Sequence, residues 1–94
     1  MIRSYRTRQT ARFVEGERVK EFEAIAEQTR KRLANLNAAT SLSTLAAVSG
    51  NRLEALKGTR AGQYSIRINK QWRICFVWNE AEGCAELVEI VDYH

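Results

Sequence analysis

In the stretch "QYSIRINKQWRICFVW", residues 63–78, apolar side chains fall on every second residue: Tyr64, Ile66 and Ile68, then Trp72, Ile74, Phe76 and Trp78. A period of two is the pattern of strands with one buried face. The "NKQ" between the two runs has the residue types of a turn, so the spacing predicts an antiparallel hairpin. If Ile68 opposes Trp72 across that turn, Arg67 opposes Arg73 on the other face. Like charges directly opposed across a strand pair are destabilising, so a carboxylate or a phosphate is expected between them.

The rest of the chain is read around this hairpin. "NEAEG" is a second turn, leading into "CAELVEIVDYH", where Leu87, Val88, Ile90 and Val91 fall on both faces as in a central strand. Antiparallel pairing with the preceding strand can set Glu89 near Arg73, which makes Glu89 the ordinary structural partner for that arginine. In the first half, "MIRSY" reads as a short strand, and Thr7 or Thr10 can cap a short helix through Phe13 and Val14 that ends near Gly16. From Val19 the apolar positions Phe22, Ala26, Thr29, Leu33 and Leu36 follow in steps of three and four, the stripe of an amphipathic helix. "AATSLSTLAAVSGN" reads as a loop with one helical turn after Ser41. The expected fold class is α+β: a small antiparallel sheet with the N-terminal helices packed on one face. Ninety-four residues without proline, repeat or linker predict a single domain over residues 1–94.

Composition narrows the function classes. With 45% hydrophobic and 28% charged residues the chain is not disordered. No apolar run approaches the roughly 20 residues of a membrane span, and the basic start lacks the apolar region of a secretory signal, so a cytoplasmic protein is expected. Cys75 and Cys84 are too few for a disulfide framework and sit among strand residues, where reduced packing thiols are expected. A single histidine and no C-x-x-C speak against a structural zinc site. The net charge of +4 is unevenly spread. Residues 52–78 carry six Lys/Arg against one Glu, and residues 79–94 carry five acids and no Lys/Arg. Two readings stay open: strand-to-strand charge pairing, or a phosphate-binding surface of the kind clustered Lys/Arg makes on a small domain.

The chemistry-bearing residues collect in the second half. In "NRLEALKGTRAG", Leu53 and Leu56 are three apart, as are Glu54 and Lys57, which predicts a turn-like or bulged segment with the leucines inward and the charged pair outward. It is not a phosphate-binding P-loop, because the glycine spacing is wrong and no Lys-Ser/Thr follows. Glu54, Lys57, Arg67, Arg73 and the terminal Asp92, Tyr93 and His94 suit RNA cleavage through the ribose 2′-hydroxyl. That reaction takes a base, cations for the charge building on phosphate and an acid for the leaving 5′-oxygen, and it requires no metal or cofactor. General acid–base help contributes roughly 10² to 10⁴ in rate. Histidine, with an unperturbed pKa of about 6.5, suits the acid, and His94 beside its own α-carboxylate and Asp92 is favoured as imidazolium. The alternative is an ordinary mobile chain end. Tyr93 either stacks on an unpaired base or packs in the core.

"GNRLEALKGTRAGQYSIRINKQWRICFVW" followed by "VEIVDYH" resembles the HigB toxins of type II toxin–antitoxin systems, in the RelE/ParE superfamily, and among them is especially similar to the GraT branch. Weaker agreement extends to "MIRSY" and "RLANLNAAT". The combination of "LKG.R.G..SI", "WR..F" and a terminal "DYH" carries the resemblance. It implies a RelE-like fold and a ribosome-dependent messenger-RNA endonuclease that cuts mRNA in the ribosomal A site and so inhibits translation. The implied partner is a helix-turn-helix antitoxin of HigA/GraA type, with operator DNA met only through that antitoxin and no membrane involved. On the resemblance, the terminal catalytic triplet falls on Asp92, Tyr93 and His94 and the basic pair on Lys57 and Arg73. Arg60, Arg67 and Lys70 are expected to bind substrate. Some relatives carry histidine where this chain has Glu54, and arginine where it has Asn69. Glu54 as the base is therefore this chain's own expectation. Two other classes share the fold: a ParE-like gyrase inhibitor without nuclease chemistry, and a ribosome- or RNA-binding module using only the basic surface.

Overall fold

The computed structural model describes residues 1–93. Helix α1 spans Arg8–Val14, with Thr7 as its N-cap accepting from the Thr10 backbone N–H. The stripe that starts at Val19 splits into two elements: a 3₁₀ helix at Lys20–Ile25 and helix α2 at Ala26–Ala38. Spacing explains the split. The residues buried first are Val19, Phe22 and Ile25, three apart each time, and side chains three apart line up on a 3₁₀ helix. Thr29, Leu33 and Leu36 follow at four and three, the α-helical spacing. Helix α3, Leu42–Ala47, is longer than the single turn expected and is capped by Ser41, whose side chain accepts from the Thr44 N–H. A 3₁₀ turn at Ser49–Asn51 follows.

Four antiparallel strands come next, in spatial order β1-β2-β3-β4: β1 Glu54–Ala55, β2 Tyr64–Arg67, β3 Trp72–Asn79 and β4 Cys84–Asp92. Residues 53–57 thus contain a short extended strand where a turn-like segment was expected. A 3₁₀ turn at Gly58–Arg60 lies between β1 and β2. The β2–β3 turn has the expected register: Ile68 N–H donates to the Trp72 carbonyl, and Asn69 Oδ1 accepts from the backbone N–H groups of Gln71 and Trp72. In the β3–β4 turn Gly83 sits at φ +62, where a Cβ would stand 2.8 Å from the Thr40 carbonyl oxygen.

The first residues run parallel to β4 and cover its outer edge, with bridges Ile2↔Ala85 and Tyr5↔Val88. A central strand was expected here; β4 is the last of the four strands, and backbone bonds from residues 1–6 pair its outer edge. The core fills the space between the helices and one face of the sheet, where Phe13, Leu36, Ile66, Ile74, Phe76 and Val88 are nearly or fully buried. Phe22 meets Phe13 and Trp72 edge to face, at 5.7 and 5.8 Å between centroids. Cys75 and Cys84 are buried free thiols, and burial pushes the Cys75 thiol above its ordinary pKa.

A bulge interrupts the β3–β4 ladder. Leu87 adopts φ +51 and remains exposed, its N–H held by Ser4 Oγ at 2.9 Å. Residues three apart on a regular strand point to opposite faces, but the extra residue restores Glu86 and Glu89 to the same one, opposite Val77 and Cys75. That face, turned away from the helices, carries the candidate site.

Candidate functional site

Two arginines define the site. Arg67 on β2 and Arg73 on β3 are direct cross-strand partners, as the hairpin spacing predicts. Glu89 does not neutralise Arg73. It lies opposite Cys75, while Val91 lies opposite Arg73, and the Glu89 carboxylate instead meets Arg60 at 3.3 Å and Arg6 at 3.8 Å. The expected Glu89 partner of Arg73 is thus replaced by neutral oxygens. Arg73 Nε donates to Ser65 Oγ at 2.6 Å, and its Nη2 donates to the Arg52 carbonyl at 2.8 Å and, at 3.5 Å, to the Ser65 carbonyl. Nη1 makes no hydrogen bond among the described residues, which leaves one edge of a fixed guanidinium available.

Arg67 and Arg73 line an open cleft of about 510 Å³ together with Arg52, Leu53, Glu54, Asn69 and Lys70. Glu54 reaches it because β1 pairs with β2, setting Glu54 opposite Ser65, two residues before Arg67. Four cations and one carboxylate share the cleft, and none of the five belongs to an ion pair among the described residues. Such an excess favours a polyanion, and among the described residues lining the cleft Glu54 is the one acid. Planar guanidinium groups match the oxygens of a phosphate or a carboxylate in pairs.

The other expected site residues are distributed around this cleft. Lys57 is exposed at the start of the Gly58–Arg60 turn and does not line it. Arg60, expected to bind substrate, is bound instead to Glu89 and to Gln63 Oε1, which holds the 57–62 loop against the sheet. Asp92 pairs across the sheet with Trp72, whose ring packs against Phe22 on the helix side, so alternation puts Asp92 and Tyr93 on opposite faces. Gln71 holds both: its carbonyl accepts from the Tyr93 N–H at 2.6 Å and its Nε2 donates to Asp92 Oδ2 at 3.1 Å. Tyr93 lies just past the end of β4 and stays exposed. His94 lies outside the described residues.

Sequence reading missed Arg52, Ser65 and Asn51. Ser65 carried a usable signal, since it sits on the polar face of the alternating run, two residues before Arg67. Arg52 and Asn51 carried only "GNR", which reads as a turn and does not say where its carbonyl points.

Three comparisons bear on this geometry. The family model described as "RelE-like toxin of type II toxin-antitoxin system HigB" matches residues 3–94. Toxin HigB-1 of Vibrio cholerae serotype O1 is 46% identical over 48 residues, 51% of this chain and 50% of that toxin, so the chain spans about half the length of the curated relative it matches. Among solved structures, a chain of the YoeB-YefM complex from Staphylococcus aureus has a similar fold, with a TM-score of 0.62 at 16% identity over 100% of this chain and 98% of that one. Among the described residues, no helix is long and apolar enough to cross a membrane.

Proposed function

The chain belongs to the HigB-like toxins of type II toxin–antitoxin systems, with the RelE-like fold of that family, and from that premise we propose that it is a ribosome-dependent messenger-RNA endonuclease. The observation that carries the proposal is the cleft in which Arg67 and Arg73 face each other with no ion-paired carboxylate among the described residues. A folded protein that keeps two opposed, unneutralised guanidinium groups is suited to a ligand that supplies the missing negative charge, and an RNA phosphate does so.

In this reading residues 1–94 form one toxin domain acting in the cytoplasm. Arg73 and Lys57 meet the charge that builds on the scissile phosphate, Arg67 and Lys70 hold the strand, and Glu54 takes the proton from the 2′-hydroxyl. His94 gives a proton to the leaving 5′-oxygen, with Asp92 favouring its charged form and Tyr93 stacking on a base. Each preorganised donor at the developing charge contributes about 2.7 to 4 kcal/mol. An open cleft of this kind offers little to orient a flexible strand, and positioning accounts for about 7 to 11 kcal/mol of such a barrier. The ribosome supplies that positioning by presenting mRNA in the A site. A helix-turn-helix antitoxin silences the protein and mediates any contact with operator DNA.

The test is primer extension on cellular mRNA after brief induction of the toxin, repeated with purified ribosomes. Discrete cuts in translated messages that depend on ribosomes are the expected result. Intact mRNA accompanied by gyrase-linked DNA breaks, or rapid cutting of free RNA at a rate unchanged by ribosomes, would overturn it.

A further inference from the structure

We propose that Asn51, outside the cleft, is a positioning residue for Arg73: its buried side chain fixes the backbone at Arg52, and the Arg52 carbonyl fixes the guanidinium. The inference rests on reading the cleft as the phosphate site.

Asn51 is fully buried, and a buried amide is retained only where its hydrogen bonds are made. Its Oδ1 accepts from Arg32 Nη1 at 3.0 Å and from Asn35 Nδ2 at 3.2 Å, both on α2, and its Nδ2 donates to the Leu45 carbonyl on α3 at 3.1 Å. The side chain therefore pins the end of the Ser49–Asn51 turn to two helices at once. Its own N–H closes that turn on the Val48 carbonyl at 2.9 Å. The next residue, Arg52, adopts φ +45 and ψ +55, the left-handed region that non-glycine residues seldom occupy. A conformation of that kind persists where its surroundings over-determine it, and here a three-bonded, fully buried neighbour does so.

The left-handed residue turns the chain so that the Arg52 carbonyl accepts from Arg73 Nη2 at 2.8 Å. With Nε held by Ser65 Oγ, the planar group is fixed at two points and its orientation is set. Gly50 lies beside Arg32. A Cβ there would stand 2.6 Å from Arg32 Nη2, so a side chain at this position would displace the tip of Arg32, a flexible group that can shift. Asn51 and Arg52 thus each meet a separate demand of one link from α2 to the cleft.

A purely structural asparagine would affect stability and leave Arg73 alone. The deciding experiment uses the full chain carrying Asn51→Ala, with two readouts. One is the exchange rate of the Arg73 Nε–H with water by nitrogen-15 NMR, the signal being assigned by its loss in Arg73→Lys. The other is cleavage of ribosome-bound mRNA, measured in the native and Arg73→Ala backgrounds. The expected result is faster exchange at Arg73 Nε–H and a loss of cleavage of about 10- to 100-fold, the scale of a misplaced group, with no further loss when Asn51→Ala is added to Arg73→Ala. An unchanged Arg73 signal in folded Asn51→Ala, or the same fold-loss in both backgrounds, would overturn the proposal. If Arg73→Ala cuts as fast as the native chain, or the native chain does not cut, the reading of the cleft fails instead, and the Arg73 signal still decides whether Asn51 positions it. Should Asn51→Ala not fold, Gly50→Ala keeps the amide and displaces only Arg32, and it answers to the same two readouts.

Discussion

Arg67 and Arg73 stand directly opposite one another in the β2–β3 ladder, and neither is ion-paired among the described residues. Opposed like charges oppose folding, so the pair marks a place where ligand binding and stability pull apart. Replacing Arg67 with threonine, a good strand former, is expected to stabilise the isolated protein by about 0.2 to 1 kcal/mol, the range of a cross-strand pair. The same change is expected to weaken cleavage on the ribosome. Urea denaturation beside a cleavage assay checks both, and a less stable Arg67→Thr protein would show that the pair is not repulsive.

Arg73→Ala is expected to do two things of different size. It leaves the Ser65 hydroxyl, on a fully buried residue, without its donor, a loss of about 1 to 3 kcal/mol. It also removes a cation from the cleft, and cleavage per folded molecule is expected to fall by about 10² to 10³. A variant that is less stable yet cuts at the native rate would confine Arg73 to the scaffold.

Glu89 is the joint between two arginines that come from far apart in sequence, Arg6 before α1 and Arg60 in the loop after β1. Glu89→Gln removes the shared charge from a half-buried position and is expected to cost about 1.5 to 3 kcal/mol. Because the main lost contact is to Arg60, the double change Glu89→Gln with Arg60→Gln is expected to be no worse than Glu89→Gln alone. Thermal unfolding of Glu89→Gln, Arg60→Gln and the double variant measures this, and additive losses would separate the two residues.

The Glu82 carboxyl accepts a hydrogen bond from Arg3, and that bond, with the arginine charge, holds it below its ordinary 4.5. A carboxyl depressed in the folded state contributes above its unfolded pKa, and the contribution is lost as pH falls through the lower folded value. Both groups are exposed, so the effect is local to the first residues and the β3–β4 turn. Protection of the Arg3 and Ala85 amides, whose N–H groups bond across this seam, is expected to fall as pH drops below 4.5, so that they exchange faster relative to their intrinsic rates. Glu82→Gln should lose that added pH dependence, and a native protein without it would refute the linkage.

Deleting His94 alone is expected to leave folding intact, since Tyr93 already closes its backbone bond to Gln71, and to lower cleavage on the ribosome by about 10² or more, the scale of a lost general acid. A chain ending at Tyr93 that cuts at the native rate would make the histidine an ordinary terminus.

The sheet was legible because its signal is local. Alternation from Tyr64 to Trp78 fixed the β2–β3 pairing, and with it the facing arginines, to the residue. β4, expected to be a central strand, is the last of the four, its outer edge bridged by the N-terminal segment. What the sequence hid depends on distances it does not encode. The apolar stripe read from Val19 stepped from Phe22 to Ala26 and passed over Ile25, whereas burial runs through Val19, Phe22 and Ile25 at a step of three. Glu89 looked like the partner of Arg73, but strand register set it opposite Cys75, and Arg60 reached it from a loop whose path spacing alone cannot give. The support of Arg73 by Arg52 uses a carbonyl, and every residue has one of those.

Residues 2 and 5 bridge residues 85 and 88, and this pairing sets an order of events for a chain made from one end. The first residues have no partner strand until some 80 more have been joined, which takes roughly 4 to 16 seconds at about 5 to 20 residues per second. Closing so long a loop is slow compared with forming α1 or α2. Through that interval the segment around Ile2 and Tyr5 stays unpaired, and β4, which carries Glu89 and leads to Asp92 and Tyr93, does not yet exist. The helices can form early, but the sheet is not complete until residues 84–92 have been joined, so the N-terminal segment waits for β4 through that interval.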